Sequence, residues 1–404
     1  MDRQETGQRI ARARRRCGLS QATLAGLVGR SESWLSQVER GKRSIDSHTV
    51  LTHMAQVLRM DIAELAAPET GATTRPNAYP SASRIEQAMT SYAGLDDRIS
   101  SPAAPDKPDL RNLQHRIAAA HRMYQAARYE EAGRVLPALI AETETASRTA
   151  DPGDPDICRQ RANVYDTTAA LLSRVGERAL AWVAADRAIS AAEQSGQPLL
   201  IALGAYRMAY LLTSRKHPED ALGLAITAAT AIAQLNPAPL PDQLSIYGAL
   251  HLAAANAAAA QHDAALSASL LSTAGRVAGG LGHDANYLGT AFGPVNVAIH
   301  KMSTSARLGD WTAVLKIGES LDAATMPAGL IGRRTQVKLD LARAYAMRRQ
   351  DAAAVNTLLS AEQLSPQLVR FHNHTHDVIN CLLRREHRAS TPQLRPLAHR
   401  AGLL

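Results

Sequence analysis

Residues 1–43 hold ten arginines or lysines, at 3, 9, 12, 14, 15, 16, 30, 40, 42 and 43, against four acids at 2, 5, 32 and 39. The net +6 on so short a stretch suits phosphate oxygens, because affinity for a polyanion rises with each phosphate charge neutralised. Other side chains capable of chemistry give less. His372, His374 and His376 stand two apart, and residues i and i+2 do not share a helix face. No cysteine or second histidine cluster completes four ligands near them, so no metal is expected. Cys17, Cys158 and Cys381 match no metal or redox spacing and read as thiols of a reducing cytosol. There is no Walker loop, dinucleotide glycine fingerprint or nucleophile motif. Neither a cofactor nor enzyme activity is expected.

The basic side chains need elements to position them, and residues 20–41, SQATLAGLVGRSESWLSQVERG, supply two helical patterns joined by a glycine. Ala25 is small where two helices must approach closely. Gly29 can adopt the positive φ of a tight helix-to-helix turn. Leu35 and Val38 are three apart and share the inner face of the second helix. Ser20 and Ser31 precede helical runs, where a hydroxyl caps free N–H groups. With Gln21 opening the first pattern, this is a helix-turn-helix signature. Around it the spacing predicts helices over 3–17, 21–28, 32–40 and 47–58, the first with Ile10 and Ala13 inward and the fourth through Val50, Leu51, Met54, Ala55 and Leu58. Asp61 caps a fifth through Ile62 and Leu65. The result is a five-helix domain over residues 1–67.

The chain has 404 residues and a formal net charge of +8, enough for two or more domains. Apolar residues make up 46% but aromatics only 4%, so the core must be built from Ala, Leu and Val, which suits packed helices. No run of 18 apolar residues exists and the N-terminus lacks a signal-like apolar segment, so a cytoplasmic protein without a membrane partner is expected.

The stretch GQRIARARRRCGLSQATLAGLVGRSESWLSQVERGKRSIDSHTVLTHMAQVLRMDIAEL resembles the DNA-binding domain of lambdoid phage repressors and their bacterial relatives, the XRE family. The resemblance covers residues 3–66 and implies double-stranded DNA as partner. In that family the third helix lies in the major groove and its first residues, with one a turn later, reach bases. Carried over by position, these are Glu32, Ser33 and Gln37, with Ser36 beside them; Gln37 could pair with adenine and Glu32 accept from a cytosine amine. Gln21 matches a phosphate contact of the family, and Arg43, just past the third helix, is a further phosphate candidate. Arg14 and Glu39 match a structural ion pair between helices 1 and 3. Ile45-Asp46 stands where family members often have proline, which blurs the start of helix 4. Trp34 reads as packing rather than base stacking.

Between Ala67 and Asp109 lie six prolines, at 68, 76, 80, 102, 105 and 108. The segment 68–109 therefore reads as a tether, interrupted by a short helix near 83–92 through Ile85, Met89 and Tyr92. From Leu110 on, amphipathic helices alternate with short turns. Residues 335–366, with Leu341, Ala342, Tyr345, Ala354, Ala361 and Pro366, resemble the tetratricopeptide repeat, a helical hairpin with small residues where its helices cross. The frame recurs around Ala132, Ala181, Ala221, Ser267 and Val314. The resemblance implies a superhelical solenoid over 110–404, of about six hairpins and a capping helix at 371–386.

Such a solenoid presents its first helices on a concave face. The corresponding positions are Gln114, His121 and Tyr124; Asn163 and Asp166; Tyr206, Tyr210 and Thr213; Asn256; Asn296 and Ser303; Gln336 and Arg343. Of these, His121, Tyr124, Asn163, Asp166, Tyr206, Tyr210, Asn256, Asn296 and Arg343 are the candidate effector contacts, since asparagine offers both a donor and an acceptor to a peptide backbone.

The two-part layout resembles the peptide-responsive quorum regulators of Gram-positive bacteria and related regulators of GC-rich bacteria. It implies an all-α transcriptional regulator that binds a two-fold symmetric operator as a homodimer and senses a peptide or small effector. Control by a partner protein docked on the repeats, or a scaffold that has lost DNA binding, are the other readings.

Overall fold

The structure is a computed structural model and describes residues 3–17, 19–45, 48–58, 79–91, 109–149, 151, 153–387 and 389–404. Among these residues every regular element is a helix. No described helix is long and apolar enough to cross a membrane. The chain divides into two units, residues 1–75 and 76–404.

The first unit contains α1 (Arg3–Arg16), α2 (Gln21–Leu27), α3 (Glu32–Glu39) and α4 (His48–Val57). Their ends differ by only one or two residues from the spacing-based expectation. Ser20 Oγ accepts from Thr23 N at 3.0 Å and Ser31 Oγ accepts from Trp34 N at 3.2 Å, so both serines cap as expected. Ile10, Ala13, Leu24, Ala25, Leu35, Val38, Val50, Met54 and Leu58 form one core. Gly29 has φ +67° and turns the chain from α2 into α3. The fifth helix expected through Asp61, Ile62 and Leu65 lies outside the described residues, as do 68–78 and 92–108 of the expected tether.

The second unit begins with α5 (Ala82–Thr90), the short helix read near 83–92; Tyr92 falls outside the described residues. This helix is part of the packed unit. Ile85 and Met89 are buried in its core, and the Tyr79 hydroxyl donates to the Tyr129 carbonyl. Six hairpins follow: α6 (Leu110–Gln125) with α7 (Tyr129–Thr149), α8 (Pro155–Arg174) with α9 (Arg178–Ser195), α10 (Pro198–Ser214) with α11 (Pro218–Ala233), α12 (Pro241–Ala260) with α13 (Ala264–Leu281), α14 (Pro294–Leu308) with α15 (Trp311–Ser320), and α16 (Ile331–Met347) with α17 (Asp351–Leu364). The small residues read at the crossings, Ala132, Ala181, Ala221, Ser267, Ala342, Ala354 and Ala361, are all fully buried, as are Ala120, Ala169, Ala209 and Ala274 beside them. Without a γ carbon they let paired helices approach closely.

The first helices of the hairpins do not line an open groove. Each packs on the next from α6 to α16, and α16 packs back on α6. A single apolar core accordingly joins Tyr79, Ile85 and α6–α9 to α16, α17 and the C-terminal helices. The expected capping helix at 371–386 is broken. It consists of α18 (Pro366–Phe371) and α19 (Asn373–Leu383), with His372 in an extended conformation between them, followed by α20 (Leu394–Arg400). The break lets Phe371 meet Tyr79 edge-on at 5.6 Å while α19 packs on α16.

Candidate nucleic-acid interface and inner cavities

The geometry of α3 is fixed from its inner side. Arg14 Nε and a terminal nitrogen donate to the two Glu39 oxygens at 2.6 and 3.0 Å, and Arg14 also donates to the Leu19 carbonyl at 2.8 Å. The pair is buried, with 10% and 5% of the two side chains exposed. Burial opposes the Arg14 charge, but the hydrogen bond to Glu39 outweighs it and raises the guanidinium pKa. Gln21 Nε2 donates to Glu39 Oε2 at 2.6 Å. The side chain expected on phosphate thus ties the start of α2 to the end of α3.

On the other side of α3, Glu32 and Ser33 are exposed and Ser36 and Gln37 half-buried. Lys42 and Arg43 are exposed just beyond the helix, where Lys42 N closes it onto the Gln37 carbonyl at 2.9 Å. Trp34 is half-buried against the core, with the Arg30 guanidinium 5.7 Å from its ring. Polar side chains at the open end of a fixed helix, flanked by exposed cations, can donate to and accept from base edges while the cations meet phosphates.

One residue that the sequence reading passed over holds this arrangement. A Cβ on Gly7 would lie 2.7 Å from the Glu39 carbonyl oxygen and closer still to that of Val38. Glycine allows α1 to cross α3 backbone to backbone, which is what brings Arg14 onto Glu39.

In the second unit, polar side chains of the inner helices bond to one another and to the loop after α13. Arg174 donates to Gln336 Oε1 at 3.1 Å, Tyr210 and His300 share a bond of 3.3 Å, and the Gln125 and Asn286 amides pair at 2.7 and 3.0 Å. Arg207 holds both Asp166 oxygens at 2.9 and 3.0 Å, and Arg333 reaches the Tyr206 hydroxyl at 3.4 Å. Two cavities adjoin on this inner face. The larger, about 380 Å³, is lined by His121, Asn163, Asp166, Gln160, Leu200 and Leu288 among others. The smaller, about 40 Å³, is lined by Tyr124, Tyr129, Tyr206, Arg174, Arg207 and Arg333. Gln125 and Gly289 line both. Gly289 has φ +70°, and a Cβ there would run into the His121 ring, so glycine is needed on both counts.

The candidate effector residues therefore part company. His121, Asn163 and Asp166 meet at the larger cavity, and Tyr124 and Tyr206 at the smaller. Asn256 is buried in α12 and is not among the residues lining either. Asn296 is buried with neither amide atom hydrogen-bonded, and Tyr210 is turned to His300. Arg343 lies over Trp311 at 5.2 Å and lines a separate crevice with His372 and His374. His376 Nε2 is 2.6 Å from the Arg370 carbonyl, so the three histidines do not converge. The sequence reading missed Arg174, Arg207, Arg333 and Gln125. Arg207 directly follows Tyr206, Arg174 closes α8, and Arg333 precedes the repeat frame, so no position sampled from that frame fell on them.

Residues 5–67 match the helix-turn-helix domain family. No curated protein sequence matches the chain. Among solved structures, the chain is similar to the crystal structure of Bacillus thuringiensis PlcR in complex with the peptide PapR7 and DNA. Identity is 11%, the match covers 93% of this chain and 99% of that one, and the TM-score is 0.32. At those values the likeness carries no weight for function. Residues 5–67 are thus a helix-turn-helix domain, carried by a chain whose other described elements are also helices.

Proposed function

We propose that the protein is a sequence-specific, DNA-binding transcriptional regulator of the XRE type. Its second unit, a closed set of tetratricopeptide-like hairpins, pairs two copies of the chain and senses a ligand. The observation that carries the reading is the buried Arg14–Glu39–Gln21 network. It fixes α3 from behind and leaves Glu32, Ser33, Ser36 and Gln37 with Arg43 on the accessible side. A scaffold would have no use for a reading helix fixed in this way beside exposed cations. Ligand sensing is supported by the 380 Å³ cavity, a volume within the range that small-molecule sites occupy. Sequencing the genomic fragments retained by the purified full chain tests the proposal. A single enriched motif with two-fold symmetry is expected, and fragments without any common sequence would overturn it.

A further inference from the structure

The inner face of the second unit carries more positive charge than its own carboxylates neutralise. Arg174, Arg207 and Arg333 converge on the small cavity, and of these only Arg207 has a carboxylate partner, Asp166. Arg174 donates to the Gln336 amide, which in turn donates to the buried Asp340 carboxylate, and Arg333 donates to a phenol; neither guanidinium has a carboxylate within direct ion-pair reach among the described residues. Both are half-buried. The surplus is felt nearby. Burial pushes the Tyr124 phenol up, yet the three arginines together bring it below its ordinary value. Half-buried guanidinium groups without a counter-charge are unfavourable, and a ligand anion relieves that. Arginine forks also match the geometry of carboxylate and phosphate oxygens.

Resting on the sensor reading above, we propose that the second unit binds a compact anionic ligand. Arg174 and Arg333, with Arg207, take its carboxylate or phosphate in the small cavity, while its less polar body fills the adjoining 380 Å³ cavity across Gln125 and Gly289. The bonds Arg174–Gln336 and Tyr210–His300 between inner helices, with Gln125–Asn286 from α6 to the loop after α13, keep a long extended peptide out of this closed arrangement. The site also has the means to signal. Arg174 on α8 contacts α16, and Arg333 on α16 contacts Tyr206 on α10. An anion held by both ties three inner helices together and favours the closed ring over any opened one.

The test uses the full chain at constant ionic strength, with thermal melting and calorimetric titration. The probes are inorganic phosphate, phenyl phosphate, 4-phenylbutyrate and its neutral amide. The expected result is saturable binding of a phenyl anion, with a melting-temperature rise of about 2–4 °C in excess probe and no effect of the amide. Phenyl phosphate against phenylbutyrate tells a phosphate site from a carboxylate site. Arg174→Gln and Arg333→Gln should each weaken binding at least about tenfold. Arg333→Lys, which keeps the charge, should weaken it less, and Arg276→Gln, on the exposed face of α13, not at all. Should either glutamine variant fail to fold, Arg333→Lys still reports on the site. Silence of every anion, equal binding of the amide, or binding that survives both glutamine variants would overturn the site. Operator affinity separates this from the sensor reading. A probe that binds at the arginines without altering operator affinity leaves the site standing and removes the sensor. A peptide pool that alters operator affinity equally in the wild type and both glutamine variants keeps the sensor and removes the site.

Discussion

Gly7 of α1 lies so close to the backbone of α3 that a Cβ on it would meet the carbonyl oxygens of both Val38 and Glu39. The neighbouring atoms are main chain in a hydrogen-bonded helix, so they cannot swing aside as a side-chain tip would. Gly7→Ala gains up to about 1 kcal/mol in helix propensity. It loses roughly 1–3 kcal/mol by overpacking, and we expect the loss to win. Calorimetry of the full chain should show a less stable first unit, and operator affinity should fall with it. An unchanged or raised first transition would contradict the packing account.

Arg14 and Glu39 form a buried pair whose removal by halves leaves an uncompensated charge. Glu39→Ala should destabilise the first unit by about 3–5 kcal/mol, because the Arg14 guanidinium then has no anion. Replacing both, Arg14→Met with Glu39→Leu, should cost much less. A double-mutant cycle in urea measures this, and additive losses would show that the pair is not coupled.

Gln37 and Arg43 should fail differently. Gln37→Ala should alter the preferred sequence at one base position by roughly 1–3 kcal/mol. Arg43→Ala should weaken all sequences alike and reduce the salt slope by about one unit. Binding-site selection and salt titration of both variants check the distinction. An unaltered motif in Gln37→Ala would remove α3 from the reading role.

The full chain is expected to be a dimer that spans two half-sites about 34 Å apart on its operator. Light scattering across the micromolar range, with and without operator, measures this; a monomer in both conditions would contradict the pairing role of the second unit.

Two inner histidines make the second unit sensitive to acid. Burial pushes His121 down to about 4 against the pull of Asp166, and burial with Arg333 nearby pushes His300 down to about 3. In the unfolded chain both titrate near 6.5. Between that value and about 4 the unfolded state binds protons that the folded state refuses. Stability is therefore complete above pH 6.5 and is lost as pH falls, by at most about 1.4 kcal/mol per histidine per pH unit. Melting temperature followed from pH 7 to 4.5 should fall, and His300→Gln should fall less steeply. Parallel slopes in both proteins would show that His300 is not responsible.

The local structure of this protein is written in short-range sequence. Caps at Ser20 and Ser31, the left-handed Gly29 and the apolar spacing of Leu35 and Val38 bear on residues within a turn or two, so helices α1 to α4 could be placed to within one or two residues. The small residues at the hairpin crossings were legible for the same reason: alanine every few positions has one use where two helices touch. The Arg14–Glu39 pair came from resemblance alone, and the structure shows its geometry.

What the sequence could not decide was everything set by the relative placement of distant helices. Gly7 looked like an unremarkable helix residue until α3 was laid across it. Gln21 has the chemistry for phosphate, yet its nearest acceptor is Glu39, eighteen residues away. The inner face read as an open groove because repeat spacing fixes each hairpin against the next. Whether the sixth returns to the first depends on small rotations summed over all of them. Closure of α16 onto α6 turned a list of polar positions into bonded pairs and two cavities. It is what brings Arg174, Arg207 and Arg333 together, although their sequence positions span 159 residues.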